Sequence, residues 1–302
     1  MPVSRTPVRV PLDGKTFHLI GDVHAGTIAQ WRMDKVVDDF RRTPFSPIIA
    51  HIQVGDNTEN GQAAENTTFE SFKNDLSTKS GKSVFLGMGN HDGFELTGAQ
   101  WATRWGYQSQ SYVHDFDNVR LIVLTASKIG AGLWAQNQLS DADLTWLDNQ
   151  LAGTVNPCIC VTHYPCYNTC LGGAVEYQSI DASFYLCGLT TPSSSADVLS
   201  VISGRSNFKA WISGHTHSRL TVPGLITTVT TGAVTFASIN ASSIFYQGSD
   251  HPQGIAWDKV PSMFLTWYAA TSKFEVRIRD HGAGVWVAPI AGNPVTTVTV
   301  SA

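Results

Sequence analysis

In the stretch WISGHTHSR, residues 211–219, an apolar run breaks at Ser213-Gly214 and two imidazoles follow, His215 and His217, with only Thr216 between them. Histidines at that spacing share one side of an extended segment, and imidazole nitrogen is the commonest side-chain metal donor. Such a pair is equally an ordinary surface feature, so its meaning rests on partners elsewhere. The chain supplies them. Other apolar runs close on Asp22-Val23-His24, on Asp56, on Asn90-His91-Asp92 and on His163. Carboxylate oxygen, amide oxygen and imidazole nitrogen together suit divalent ions such as Mn, Fe or Zn. A catalytic zinc needs only about three protein ligands, so this many donors points to two ions. Two ions roughly 3.5–4 Å apart can activate a bridging water and clamp the oxygens of a phosphoryl group during in-line attack.

For these donors to meet, the elements before them must deliver them to one edge. KTFHLIGD (15–22), PIIAHIQVGD (47–56) and KSVFLGMGNHD (82–92) read as buried strands. Between them, 29–43 carries Trp31, Val36, Val37 and Phe40 at helical spacing, and 66–81 reads as a helix with glycine at its end. Strand alternating with helix predicts a parallel sheet, whose ligand sites gather outside the carboxyl ends of the strands. Further on, 112–126 reads as a hairpin turning at Asp117-Asn118. A helix follows over 140–153, capped by Ser140 and closed by Gly153, and 157–165 and 208–217 are strands. The C-terminal stretch from Ser262 alternates like antiparallel strands. There is no internal repeat and no compositionally distinct linker.

Bulk properties exclude several classes. The 302 residues are 42% apolar and only 15% charged, with a net charge of −4 and no basic stripe, so long nucleic acid is not an expected partner. No apolar run approaches the ~18 residues of a membrane span, and the first residues lack the apolar core of a signal peptide, so a cytoplasmic location is the default expectation and no membrane partner is expected. Cys158 and Cys160 alternate in a strand as small apolar residues. Cys166, Cys170 and Cys187 lie in a long loop, either as free thiols or with a disulfide among them. His18, His51, His114, His251 and His281 fit no motif, and His51, inside an apolar strand, is expected in a hydrogen-bonded core position.

Taken in order, the blocks GDVH, GDN, GNHD, THYP and GHTH across residues 21–217 resemble the calcineurin-like metallophosphoesterase superfamily. The resemblance implies an α/β fold, a four-layer α/β/β/α sandwich, with 1–302 as a single domain and the strands of 218–302 completing the second sheet. It implies that Asp22, His24 and His217 hold one ion, that Asn90, His163 and His215 hold the other, and that Asp56 bridges them. The two ions would be divalent or mixed-valence Mn, Fe or Zn. His91 would serve as the acid above them, its ring held by Asp92.

Departures from pattern narrow the branch. Serine/threonine protein phosphatases have GDxxDRG and GNHE blocks, whereas this chain has GDNTENG and GNHD and lacks that arginine. Purple acid phosphatases have a tyrosine three residues after the bridging aspartate, where this chain has Glu59. What remains is similar to the cyclic-nucleotide phosphodiesterase-like (class III) branch. Several of its members carry an arginine soon after the GNHD block; here Gly93-Phe94 follows, and the nearest is Arg104. The expected activity is hydrolysis of a small-molecule phosphoester, a diester ahead of a monoester, with a non-catalytic metal-binding scaffold third. Substrate choice is expected in two aromatic-bearing loops, one following His163 and the other spanning 240–261.

Overall fold

β1 (Gly14–Ile20) buries both of its faces from Phe17 onward, which only a central strand can do. Parallel β2 (Ile48–Gln53) lies on one side of it and β3 (Val84–Leu86) beyond. In the computed structural model, which describes residues 14–26, 30–45, 47–129, 136–166, 169, 193–217, 224–241, 243–244, 259–287 and 295–301, these strands nucleate one of two packed sheets.

The helices between them are α1 (Gln30–Arg42) and α2 (Ala63–Ser80), followed by α3 (Gly98–Trp105). The hairpin β4 (Tyr112–Phe116) and β5 (Val119–Val123) turns at Asp117-Asn118 as its sequence predicts, with Asp117 in the left-handed region at φ 47°. A small separate ribbon pairs β6 (Ser127–Ile129) with β7 (Gln136–Gln138). α4 (Asp141–Ala152) begins where Ser140 caps it, the hydroxyl accepting from Asp143 N at 3.2 Å. β8 (Cys158–Val161), α5 (Ser193–Ser203) and β9 (Phe208–Ser213) follow. The remaining strands are β10 (Ile226–Thr231), β11 (Val234–Asn240), β12 (Pro261–Tyr268), β13 (Lys273–Asp280), β14 (Val285–Val287) and β15 (Thr296–Thr299).

One sheet runs β14-β13-β12-β1-β2-β3, with β15 also on β13; the other runs β10-β11-β9-β8-β5-β4. This corrects the expectation for the C-terminal strands. Among the described strands only β10 and β11 join the second sheet, whereas β12 to β15 extend the first, β12 pairing antiparallel with β1, β13 antiparallel with β12, and β14 and β15 antiparallel with β13. The apolar core between the sheets sets Phe17, Leu19, Ile52 and Leu265 against Leu121, Val161, Ile212 and Ile239. On the outer face of the first sheet Met33, Val36, Phe69, Leu76 and Trp101 pack from α1, α2 and α3. On the outer face of the second, Leu147, Leu151, Val198 and Ile202 of α4 and α5 cover Cys158, Cys160, Phe208 and Trp211. Four layers result, α/β/β/α. Burial pushes the Cys158 thiol up to about 12 and raises Cys160 further, so both behave as apolar filling. Cys170 and Cys187 lie outside the described residues.

The strands are shorter than the apolar runs suggest. β3 stops at Leu86, β8 at Val161 and β9 at Ser213, because the residues that follow leave the ladder to turn into the site. α2 starts at Ala63, three residues before its predicted beginning, where Glu65 accepts from Gln62 N and Asn60 N at 3.2 and 2.7 Å. Trp31 is 41% exposed and lies against the Arg32 guanidinium; Met33 takes its place in the core. No helix among the described residues is long and apolar enough to cross a membrane.

Three histidines outside the motifs form a buried chain through the first sheet. His51 Nδ1 meets His18 Nδ1 at 2.7 Å, and His18 Nε2 meets Ser262 Oγ at 2.7 Å. Ser262 Oγ also meets His281 Nε2 at 2.7 Å, and His281 Nδ1 lies 2.8 Å from Asp39 Oδ2. Arg279 donates to both Asp39 oxygens at 2.8 and 2.9 Å. At the other end, Ser80 Oγ lies 2.7 Å from His51 Nε2 and 2.8 Å from the Leu76 carbonyl. The hydrogen-bonded core position expected for His51 is thus one link of a longer chain.

Candidate metal centre

Five strand exits meet at one edge of the two sheets, and the backbone there is bent in a consistent way. Asp22, His24, Asp56, His215 and His217 all have positive φ, between 36° and 68°. Among described non-glycine residues only Asp117 and Ser272 share that conformation. The left-handed region costs an L-residue roughly 1–2 kcal/mol, so five together must be held by their surroundings. His24 N donates to Asp56 O at 2.9 Å and His215 N to Asp22 Oδ1 at 2.8 Å. Asn240 Nδ2 donates to Gly214 O at 2.7 Å, and Thr216 Oγ1 to Asn240 Oδ1 at 2.8 Å, which ties the His215–His217 turn to the end of β11.

These turns bring all seven predicted donors together. Asp22, His24, Asp56 and His217 present ligand atoms within 4.8 Å of one another, and so do Asp56, His163 and His215. Asp56 is common to both groups. Asn90 Oδ1 lies 3.0 Å from His163 Nε2 and so belongs with the second. The approach is close because glycine stands at the crossing points. A Cβ on Gly214 would come within 2.8 Å of Asp22 Oδ2 and 2.7 Å of Val54 Cγ2, and one on Gly89 would overlap the Asp56 carboxylate.

The donor atoms face one another in a way that neutral side chains tolerate poorly. His24 Nε2 and His217 Nε2 are 3.1 Å apart, as are His215 Nδ1 and His163 Nε2, and Asp56 Oδ2 lies 3.4 Å from His24 Nε2 and 3.1 Å from His163 Nε2. Asp22 Oδ2 is buried with no hydrogen-bond partner among the described residues. Lone pairs so arranged require protons or cations between them. Burial above all pushes Asp22 up to about 6, opposed by His163 and aided by Asp56. Burial would lower His163, but the Asp56 carboxylate beside it raises it to about 9. Asp56 itself stays well below the usual carboxylate range despite burial, because His163, His91 and His24 surround it. The cluster is built to enclose positive charge, and its oxygen and nitrogen donors fit two divalent ions.

His91 sits over this cluster with its ring edge-on to His24 at 4.5 Å between centroids, and His91 N donates to Asp56 Oδ1 at 2.9 Å. Asp92 does not hold its ring. The Asp92 carboxylate turns inward and accepts from Asn57 N and Nδ2 at 3.2 and 2.7 Å, from Thr58 N and Oγ1 at 3.1 Å each, and from Gly89 N at 2.9 Å. The His91 ring is oriented instead by the Glu59 carbonyl, 2.6 Å from Nδ1. Asn57, Thr58 and Glu59 were not assigned roles from sequence, although they occupy the GDNTENG block between Asp56 and Gly61. Tyr164 is buried with its ring 4.7 Å from that of His215; the other loop aromatics, Tyr167, Tyr177, Phe184, Tyr185, Phe245, Tyr246 and Trp257, lie outside the described residues.

Comparison with known proteins agrees with this geometry. The sequence pattern of calcineurin-like phosphoesterases matches residues 15–219. No curated protein matches by sequence. Among the experimental structures that share the fold are the following two. A dimetal phosphatase from Danio rerio is 14% identical, with a TM-score of 0.62 over 94% of this chain and 98% of that one. GAP50, described as the anchor in the inner membrane complex of Plasmodium, is 10% identical, with a TM-score of 0.54 over 95% and 89%. With the family pattern spanning two thirds of its length and every block of that pattern delivered to one edge of a four-layer sandwich, the chain belongs to the calcineurin-like phosphoesterase family.

Proposed function

We propose that this protein hydrolyses phosphodiesters, with Asp22, His24 and His217 holding one cation, Asn90, His163 and His215 a second, and Asp56 shared by both. The observation that carries the reading is the pair of donor groups with Asp56 common to them. When bound, the two cations would supply an activated water and neutralise charge on the phosphoryl oxygens. The protein's own side chains do the rest. Asp56, ionised among three imidazoles, keeps the two groups together. Asn90 contributes oxygen without charge, so the site stays attractive to an anionic ester. His91 commits its Nδ1–H to the Glu59 carbonyl, so Nε2 is the nitrogen that, when the ring carries both protons, gives one to the departing alkoxide and keeps the other on Nδ1. The GDNTENG and GNHD blocks, which lack the phosphate-directed arginine of protein phosphatases, favour a diester over a monoester.

The test compares bis(p-nitrophenyl) phosphate with p-nitrophenyl phosphate, after chelation and after adding back Mn, for the wild type and His91→Ala. The expected outcome is Mn-dependent cleavage favouring the diester, lowered about 10²- to 10⁴-fold by the substitution. A preference for the monoester would replace diesterase with monoesterase. Binding of Mn without turnover of either ester would leave a metal-binding scaffold.

A further inference from the structure

Glu59 stands at an unusual junction. Its side chain is 39% exposed, yet Oε2 is buried and makes no well-aligned hydrogen bond among the described residues. That oxygen lies 2.9 Å from His24 Nδ1. The opposite nitrogen of the same ring, Nε2, faces Asp56 Oδ2 at 3.4 Å and His217 Nε2 at 3.1 Å, so it is the nitrogen on the cation side. A neutral imidazole has one N–H and one lone pair. A carboxylate against Nδ1 places the N–H there and leaves the lone pair on Nε2 for a cation. The Glu59 main chain holds a second ring: its carbonyl takes the N–H of His91 Nδ1 at 2.6 Å, while Oε1 of the side chain stays 4.0 Å from that nitrogen. The loop cannot drift from its targets, because Glu59 N donates to Ala25 O at 3.4 Å and Ala25 pairs with Thr58 as an isolated parallel bridge.

We infer that Glu59 is the positioning residue of this centre, its carboxylate fixing the tautomer and orientation of His24 towards the cation while its carbonyl, by holding the Nδ1–H, orients the His91 ring with Nε2 towards the leaving group. The inference rests on the hydrolytic reading above and adds a residue outside the donor set. It separates two effects within one amino acid. Changing the side chain disturbs His24 alone, because the carbonyl that holds His91 remains. The carboxylate therefore governs how tightly the cations are held more than how fast the leaving group is protonated.

The experiment uses the full chain with Glu59→Ala and Glu59→Gln, and measures Mn affinity by titration calorimetry, kcat at saturating Mn, and the His24 tautomer from ¹⁵N shifts of the ring. Glu59→Ala is expected to weaken Mn binding by about ten- to a hundred-fold. Its kcat at saturating Mn should stay within a few-fold of wild type, and its His24 signal should change from the Nδ1–H form to a mixture. Glu59→Gln keeps an acceptor oxygen in place and should recover most of the affinity. Unchanged affinity and tautomer in Glu59→Ala, in a wild-type background that binds Mn and cleaves ester, would overturn this inference alone. Loss as deep in Glu59→Gln as in Glu59→Ala would make Glu59 a direct ligand and equally overturn it. A wild type that neither binds Mn nor cleaves ester overturns the hydrolytic reading instead.

Discussion

Each donor at the centre is held by something other than a cation, and Asp92 shows how. It accepts from Asn57, Thr58 and Gly89, three residues that flank Asp56 and Asn90, so it fastens the two loops that carry those donors to each other. Leaving several of these donors without an acceptor costs about 1–3 kcal/mol each. Asp92→Ala should therefore lower stability in urea unfolding by about 3 kcal/mol or more, and weaken cation binding through Asp56 and Asn90. A denaturation midpoint equal to that of wild type would show that Asp92 fastens nothing. The contrast with its neighbour is instructive: His91 and Asp92 are adjacent in sequence, yet one faces the cleft and the other faces the loops.

Among the elements, the glycines at the strand exits set how closely the two sheets approach. Gly214 follows β9 and faces Val54, just after β2, so a methyl group there would press on both Val54 and the Asp22 carboxylate. Gly214→Ala is expected to cost about 1–3 kcal/mol from overpacking and to reduce Mn affinity by displacing Asp22, both measurable on purified protein. Most of this edge was legible in the sequence, because each donor follows an apolar run and a strand points its carboxyl end one way. What was not legible involves partners remote in the chain. Glu59 reads as a departure from another branch's tyrosine until its oxygen is seen against His24, and nothing in GNHD says that Asp92 turns away from His91. Likewise β12 reads as an alternating strand, and only packing decides that it joins β1 rather than the second sheet. Trp31 fits the helical spacing of α1, but Met33 is the residue that faces the sheet.

For the molecule as a whole, the buried chain through His51, His18 and His281 ties stability to pH. Burial first of all lowers all three imidazoles, His51 to about 3, with each other's charge adding to the effect at His18; Asp39 only partly offsets it at His281. Arg279 is already paired with Asp39, and the nearby Asp280 adds only a further partial offset at His281. In the unfolded chain these groups take up protons near pH 6.5, whereas in the folded protein they stay neutral, so the unfolded state binds more protons and stability falls as pH drops from about 6.5 towards 3. The slope is about 1.4 kcal/mol per pH unit for each imidazole that stays neutral. Urea midpoints between pH 7 and 4.5 should fall less steeply in His51→Gln than in wild type; equal slopes would show that His51 is not among the groups responsible. The same chain also has a direction. Because Asp39 can only accept, His281 must carry its hydrogen on Nδ1, Ser262 must give its own to His281, His18 must carry one on Nε2, and His51 one on Nδ1. A salt bridge made by Arg279 of β13 thus dictates the tautomer of a ring on β2, three strands along the sheet. The chain has room for a single guest proton: His18 gains a second N–H towards His51, His51 moves its hydrogen to face Ser80, and Ser80 swings its hydroxyl to the Leu76 carbonyl. A second guest would set N–H against N–H, or strand the Ser262 hydroxyl without an acceptor.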